Sequence, residues 1–323
     1  MKLIVSSPPH WNNKDSITKI HSHLIIALLP VLIYAVYTYG LHAARIISLS
    51  VVTTIASEYF IRKLFGKEST ITNGSAVVIG LLFAMLLPPS VPYWLVIMGA
   101  FLCIFIGKEI FGGLGSNPLS PVLVGWAITR ISWPAYYNLD LASVNYDLGY
   151  SFRYPLTLLK KGGTEFISEF KLLDFLLGKQ VGGIGTVAVL LLLIGGIYLL
   201  LRGVIAWEIP VSFMVGILVV SSVFWLLNNN QYANPLFHLF TGNLMLGIFF
   251  LSTDYASSPF NRWGMIVFGF GCGFLTIIFR VWSVYPDGVF FAILIMNLFT
   301  PLLDKLKKRS KPVEFIHIES RAE

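Results

Sequence analysis

The stretch GKEIFGGLGSNPLSP, residues 107–121, interrupts a strongly apolar sequence with charges, glycines and prolines. Glycine lets the backbone approach a ligand or a neighbouring helix closely, and a helix that begins after an Asn-Pro pair presents free N–H groups. The stretch therefore predicts one wall of a cavity, with the candidate binding residues Gly112, Gly113, Gly115 and Asn117. The alternative is a tight turn at the membrane surface, from which Lys108 extends its ammonium group to the lipid headgroups.

The rest of the sequence is typical of a membrane protein. Of its 323 residues, 56% are hydrophobic and 12% are charged, whereas soluble proteins carry about 25% charged residues. Apolar runs near the length of a membrane span recur along the whole chain. We therefore expect an all-α polytopic membrane protein. The net charge of +7 is explained by basic loops on one membrane face, and we expect neither a nucleic-acid partner nor a metal site.

About ten transmembrane helices are expected, and they divide the chain into four parts. The predicted spans are residues 23–41, 43–61, 75–87, 91–107, 119–131, 185–201, 210–227, 237–252, 263–279 and 289–304. Most basic residues fall on one side if both termini are cytoplasmic, and a cell (inner) membrane location is expected. The parts are then a first five-helix repeat (1–131), an outward-facing loop region (132–184), a second five-helix repeat (185–304) and a cytoplasmic tail (305–323).

The two halves of the chain resemble each other in where their helices break. Residues 72–85 and 241–252 both have a polar start with Gly and Asn and a glycine in mid-helix. Each segment is followed by a break, a long span and a Gly/Pro turn. Five spans per half make the two repeats inverted in the membrane. Broken helices at corresponding places of inverted repeats are typical of a binding site near the middle of the bilayer.

Three motifs carry a resemblance to a known family. They are KEIFGGLGSNPLSP (108–121), STD (252–254) and YPDGVFFA (285–292), and the start of the chain, SSPPHWNN (6–13), is similar as well. On these residues the sequence resembles the RnfD/NqrB family over nearly its whole length. The length of the chain is closer to that of RnfD than to that of NqrB.

The resemblance implies a membrane component of an Rnf-like ion-translocating electron-transfer complex, which is not active alone. Such a component passes electrons through bound flavin and couples redox chemistry to the movement of Na⁺ or H⁺. The resemblance further implies partner subunits with iron–sulfur centres and flavins. It also implies a noncovalent flavin, expected between the halves, with riboflavin as the first candidate and FMN as the second. The alternative is a channel or secondary transporter on the same inverted-repeat scaffold that has lost its redox role.

Family members also carry FMN on a threonine, in a motif similar to Ser-Gly-Ala-Thr followed by Pro-Leu. The matching stretch here is YSFRYPLTLLK (150–160), in which Tyr154 stands at the threonine position and Phe152 and Arg153 replace small residues. A phosphoester of this kind needs an aliphatic hydroxyl, so covalent FMN is not expected at Tyr154. Thr157 is the remaining candidate hydroxyl. Tyr154 is either a stacking partner for a noncovalent flavin or an interface tyrosine.

Charged residues in and near the predicted spans complete the set of candidates, and no catalytic residue is assigned. Asp254 is expected to bind a cation or a flavin, or else to cap the next helix. Asp287 and Gly288 either shape the YPDG turn or line the cavity. Arg280 is expected to extend to the membrane surface or else to pair with a flavin phosphate or an acidic partner. Glu58, inside a span, is expected to form a buried hydrogen bond.

Overall fold

The computed structural model describes residues 16–68, 70–139, 154–167 and 170–306. In these ranges the regular secondary structure is helical, and no strand occurs. The apolar runs of Leu, Ile, Val, Ala and Phe carry few charges, and inside a bilayer a helix bonds every backbone N–H and C=O within its own segment. The prediction of an all-α protein is confirmed for the described part of the chain.

The helices follow one another with mostly short connections. In chain order they are α1 (Ile17–Tyr39), α2 (Leu41–Leu64), α3 (Ser75–Leu86), α4 (Tyr93–Ile104), α5 (Pro121–Ser132), α6 (Pro155–Gly162), α7 (Leu172–Leu176), α8 (Val189–Leu201), α9 (Glu208–Leu227), α10 (Pro235–Phe240), α11 (Leu244–Leu246), α12 (Arg262–Trp282) and α13 (Val289–Leu303). Wider π-helical turns extend α4 over Phe105–Glu109 and α11 over Gly247–Leu251. Turns of this kind are frequent at functional sites, and both lie beside the polar residues of the candidate site.

Five helices in the described ranges are long and apolar enough to cross a membrane, namely α1, α2, α9, α12, and α13 with its extension to Leu306. Helices α3 and α8 are apolar but shorter. Each of the ten predicted segments contains helix, but the eighth is interrupted at residues 241–243 and the sixth begins at Val189. The structure is that of a multi-pass membrane protein. Ten spans and inverted repeats stay predictions, and the tail from residue 307 lies outside the described residues.

Small residues bring the helices close together. A Cβ atom at Gly273 on α12 would lie 2.6 Å from the carbonyl oxygen of Phe213 on α9, so only glycine permits this approach. The carbonyl oxygen of Gly80 on α3 accepts a 2.7 Å hydrogen bond from the hydroxyl of Ser50 on α2. Contacts of this kind are typical of helix packing in membranes. They hold α9 beside α12 and fix the short helix α3 against α2.

An irregular segment covers the end of α3. Residues 180–188 are buried, and the N–H groups of Ile184 and Gly185 donate to the carbonyl oxygens of Leu87 (2.9 Å) and Met85 (3.1 Å). Backbone that is not helical is stable at membrane depth only where protein or a polar cavity satisfies its polar groups. The segment therefore allows α3 to end inside the molecule, at the edge of a cavity.

Candidate functional site

A buried ion pair lies where α4 ends. Lys108 Nζ lies 2.9 Å from Glu58 Oε2 on α2 and donates a 2.7 Å hydrogen bond to Ser75 Oγ at the start of α3. The hydroxyl of Thr70 donates to the other carboxylate oxygen of Glu58. The side chain of Lys108 is 1% exposed and that of Glu58 is fully buried, so each charge depends on the other for its stability. We call these four residues the Lys108 cluster.

The expectation that Lys108 reaches the lipid headgroups is wrong, because its ammonium group is buried in this cluster. Glycines build the turn that follows it, with φ angles of 112°, 106° and 85° at Gly112, Gly113 and Gly115. Gly112 and Gly115 are exposed, and Gly113 packs against a second ion pair, formed by Arg62 and Glu109 at 3.3 Å. These glycines therefore shape the turn, because left-handed backbone costs glycine little.

Asn117, at the end of this turn, contacts Asp254 from the second half of the chain. Asn117 Nδ2 lies 3.4 Å from Asp254 Oδ2, which also accepts a 2.8 Å hydrogen bond from the hydroxyl of Ser257. Asn117 and Asp254 line a narrow cavity of about 70 Å³, which Lys108 and Ser75 also border. We call it the Asp254 cavity. It lies between α3, α5 and the π turn after α11.

A third ion pair, also buried, lies at the end of α12. Arg280 Nε and Nη2 both lie 3.2 Å from Asp287 Oδ1. The guanidinium group also donates to the carbonyl oxygens of His238 (2.5 Å) and Thr241 (2.9 Å). The side chain of Arg280 is 1% exposed and that of Asp287 is 6% exposed. The expectation that Arg280 extends to the membrane surface is therefore wrong.

The other carboxylate oxygen of Asp287 binds two further elements. It accepts a 2.8 Å hydrogen bond from the backbone N–H of Asn243 before α11 and a 3.3 Å hydrogen bond from the hydroxyl of Tyr154 before α6. Burial raises the pKa of Tyr154, and the carboxylate of Asp287 raises it further, so the phenol keeps its proton and acts as the donor. We call Tyr154, Asn243, Arg280 and Asp287 the Arg280 cluster. Asp287 is thus an ion-pair partner as well as a turn residue.

Gly288 is required where the YPDG turn meets α12. It is buried, and a Cβ atom there would lie 2.2 Å from the Cβ atom of Phe279. Any larger residue would push the turn away from the helix and would carry Asp287 with it. Gly288 therefore positions Asp287 rather than offering a binding group of its own.

A cavity of about 270 Å³ lies beside the Arg280 cluster, and we call it the Tyr154 cavity. Its wall is rich in aromatic and polar side chains and includes Trp126, Arg130, Tyr137, Tyr154, Asn243 and Asp287. The guanidinium carbon of Arg130 lies 5.2 Å from the ring centroid of Tyr137. Asn243 Oδ1 is buried and has no hydrogen-bond partner among the described residues. Since such an atom typically costs about 1–3 kcal/mol, the wall holds an acceptor that a ligand N–H would satisfy.

The two groups of predicted site residues lie at opposite ends of α12. Asp254 precedes this helix and Asp287 follows it. The two aspartates line separate cavities, which have no described lining residue in common. The structure therefore brings Asn117 to Asp254 and Tyr154 to Asp287, but it does not bring the two pairs together.

The sequence matches one protein family along nearly its whole length. The profile of the NQR2, RnfD, RnfE family matches residues 4–311. The chain belongs to this family. A relative from Acetobacterium woodii, the D subunit of a Na⁺-translocating ferredoxin:NAD⁺ oxidoreductase complex, is 39% identical over 323 residues, which cover 100% of this chain and 99% of the relative.

Other relatives in the family are also named as the D subunit of such a complex. One from Clostridium ljungdahlii, of a proton-translocating ferredoxin:NAD⁺ oxidoreductase complex, is 35% identical over 321 residues, covering 96% of this chain and 95% of the relative. One from Pectobacterium carotovorum, of an ion-translocating oxidoreductase complex, is 30% identical over 343 residues, covering 95% of this chain and 98% of the relative. The resemblance to the RnfD/NqrB family, stated from the motifs, is confirmed.

In this member of the NQR2, RnfD, RnfE family, the motifs that carry the resemblance coincide with the polar sites. The first motif contains Lys108 and Asn117, STD ends at Asp254, and YPDGVFFA contains Asp287. Sequence reasoning named Glu58 and Arg280, but it did not pair Glu58 with Lys108 or Arg280 with Asp287. Their position within apolar segments was the available signal, because an unpaired charge at membrane depth is costly.

Proposed function

We propose that the chain is the membrane-embedded D subunit of an ion-translocating ferredoxin:NAD⁺ oxidoreductase complex in the cell (inner) membrane. The match along the full chain to the D subunits of two such complexes supports this role most strongly. The protein carries electrons through bound flavin and couples their transfer to the movement of Na⁺ or H⁺. Its partners are subunits that hold iron–sulfur centres and further flavins, and it has no activity alone.

The proposed topology is ten spans in two inverted five-helix repeats, with both termini cytoplasmic. The two buried cations support the repeat. Lys108 follows α4 and contacts Ser75 at the start of α3, and Arg280 ends α12 and contacts Thr241 just before α11. An inverted repeat accounts for this correspondence. It puts the Lys108 cluster and the Arg280 cluster at opposite membrane faces.

The Tyr154 cavity is the proposed place of a noncovalent flavin, with riboflavin as the first candidate and FMN as the second. Its volume of about 270 Å³ is just below the roughly 300–1,000 Å³ of typical ligand pockets. Trp126 and Tyr137 offer aromatic surface to a flat ring system, and Asn243 Oδ1 is free to accept from a ring N–H. A bound flavin supplies one- and two-electron transfer at this place.

The residues of the Arg280 cluster orient the wall of this cavity. Arg280 fixes the carboxylate of Asp287, and Asp287 in turn fixes the backbone of Asn243. Tyr154 donates to the same carboxylate and closes the side of the cavity that faces α6. We propose no covalent link at Tyr154, because its side chain is buried and its hydroxyl is engaged with Asp287. Phe152 and Arg153 lie outside the described residues.

The Asp254 cavity is proposed for the ion rather than for the flavin. A volume of about 70 Å³ accepts a cation with a few waters and excludes three fused rings. Asp254 and Asn117 offer the oxygen atoms that Na⁺ or a proton carrier requires. Of the turn glycines predicted as binding residues, Gly112 and Gly115 are exposed, and we assign the glycines a supporting role in holding Asn117.

Purification of the intact complex through an affinity tag on this chain tests the proposed function. We expect co-purifying subunits with iron–sulfur and flavin spectra, and ferredoxin-dependent NAD⁺ reduction that disappears when the chain is deleted and returns when it is restored. A chain that purifies alone, without a flavin spectrum, would contradict the proposal. A channel or secondary transporter on the same scaffold would then be the better assignment.

A further inference from the structure

A third cavity, distinct from the two described above, lies between the end of α6, helix α10 and the end of α12. Its volume is about 290 Å³, and we call it the Lys160 cavity. The residues of its wall that matter here are Lys160, Lys161, Gln231, Tyr232, His238 and Arg280. None of its described lining residues is acidic. The positive charge of Arg280 is balanced by Asp287, so the two lysines supply the uncompensated charge.

The polar groups of this wall are arranged to receive an anion. Lys160 Nζ donates to the carbonyl oxygens of Ser283 and of Tyr285, the latter at 3.2 Å, and an ammonium group has a third donor to offer. His238 is 4% exposed, and its Nδ1 has no hydrogen-bond partner in the part of the chain that the structure describes. A buried imidazole nitrogen without a partner is costly unless a ligand satisfies it.

The position of the cavity indicates the source of the anion. Helix α12, a candidate span, ends at Trp282, which is 68% exposed, and Val284 beyond it is 93% exposed. Helix α9, a second candidate span, ends nearby with Leu226 and Leu227 exposed. Exposed tryptophan at the end of a span is typical of the membrane–water interface. The Lys160 cavity therefore lies at the level of lipid headgroups.

We infer that the Lys160 cavity binds the phosphate group of an anionic phospholipid, with Lys160 and Lys161 as cationic partners and His238 as a hydrogen-bond partner. The acyl chains then lie along the exposed apolar ends of α9 and α12. Lysine binds phosphate as a point charge, and each lysine near an anionic headgroup contributes measurably to binding. The lipid connects α6 to α12. This inference is independent of whether a flavin occupies the Tyr154 cavity.

Photo-crosslinking in the intact complex tests this site. The delipidated complex is reconstituted with phosphatidylcholine vesicles that contain either photoactivatable phosphatidylglycerol or photoactivatable phosphatidylcholine, and crosslinked peptides are identified by mass spectrometry. We expect phosphatidylglycerol, but not phosphatidylcholine, to label residues 155–163 and 281–286. In the double variant Lys160→Gln, Lys161→Gln, the phosphatidylglycerol content needed for half-maximal labelling should rise by about 30-fold.

Matched variants separate the site from general charge attraction. The double variant Lys63→Gln, Lys67→Gln removes the same charge from exposed positions at the end of α2 and should leave this labelling unchanged. His238→Leu should weaken labelling several-fold, whereas His238→Asn, which keeps a polar atom near the Nδ1 position, should retain most of it. Equal labelling by the two lipids, or equal loss in the control variant, would overturn the inference. Full competition by 10 mM inorganic phosphate would assign the cavity to free phosphate instead.

Discussion

The Lys108 cluster and the Arg280 cluster bury the same kind of charge in different surroundings. In each, a cation near the end of a helix is 1% exposed and paired with a carboxylate. Lys108 meets Glu58, which lies within α2, whereas Arg280 meets Asp287, which lies in a loop. Lysine acts as a point charge, while the planar guanidinium of arginine also reaches two carbonyl oxygens.

The cavities beside the two clusters differ as well. The Asp254 cavity measures about 70 Å³ and the Tyr154 cavity about 270 Å³. A carboxylate supplied by a loop can move without unwinding a span, so the Arg280 side of the molecule suits the binding of a ligand. The Lys108 side holds α2, α3 and α4 together. Damage to the Lys108 cluster should therefore appear as lost stability, and damage to the Arg280 cluster as lost ligand.

The largest loss of stability is expected for Lys108→Met. Glu58 would stay buried without its partner, which typically costs about 3–5 kcal/mol, so the complex should unfold at a clearly lower temperature or the chain should fail to accumulate. Thermal unfolding of the purified complex measures this loss. The double variant Lys108→Met, Glu58→Leu should recover much of it, and Lys63→Met at an exposed position should be neutral. A double variant as damaged as the single one would contradict the assigned pair.

A smaller loss of stability, about 2 kcal/mol, is expected for Arg280→Met, because Asp287 keeps its hydrogen bonds from Asn243 and Tyr154. The loss of flavin should exceed what the lower stability explains, because Arg280 no longer holds Asp287 in the wall of the Tyr154 cavity. Flavin released by acid extraction, per complex, and thermal unfolding give the two readings. Unchanged flavin content together with lower stability would make this cluster purely structural.

Alanine substitutions at two turn glycines distinguish the two sites, with smaller losses of stability. Gly288→Ala should cost about 1–3 kcal/mol, because its Cβ atom would collide with Phe279. Gly115→Ala should cost about 1 kcal/mol through its positive φ alone, since a Cβ atom there meets open space. Denaturation midpoints compare the two variants. We expect the flavin content to fall in Gly288→Ala only. A loss of flavin in Gly115→Ala only would instead indicate that the flavin binds beside the turn that contains Gly115.

The smallest effect is expected for Tyr154→Phe, which removes one hydrogen bond to Asp287 and should cost about 0.5–1.5 kcal/mol. Neither the natural chain nor this variant should show a fluorescent band under ultraviolet light after denaturing electrophoresis, when produced together with a flavin transferase. Thr157→Val is the control for attachment elsewhere. A band that is present in the natural chain and absent in Thr157→Val would move the covalent site to that hydroxyl.

The sequence was sufficient to predict the all-α fold class, the family and several residues of the two polar sites. Asn117 and Asp287 were predicted as site residues because polar groups beside Gly/Pro turns stand out in an apolar chain. Asp254 was predicted because a carboxylate at membrane depth is costly, and Tyr154 because of the family resemblance. The structure divides them into two pairs, which line separate cavities.

The ion pairs could not be derived from the sequence, because they join distant positions. Glu58 and Lys108 are 50 residues apart, and nothing local indicates that α2 and the π turn after α4 face each other. The direction of Arg280 was equally open, since a basic residue at the end of a span either extends to the headgroups or turns inward. Its burial depends on Asp287, which the YPDG turn brings back toward α12 through Gly288.

The flavin content of two asparagine variants distinguishes the Tyr154 cavity from the Asp254 cavity as the place of the flavin. Asn243→Leu removes the unpaired acceptor from the Tyr154 cavity, and Asn117→Leu makes the same change in the Asp254 cavity. Acid extraction of the purified complexes followed by chromatography should release one flavin fewer per complex from Asn243→Leu and the full amount from Asn117→Leu. Full flavin in Asn243→Leu with a loss in Asn117→Leu would contradict this assignment and place the flavin in the Asp254 cavity.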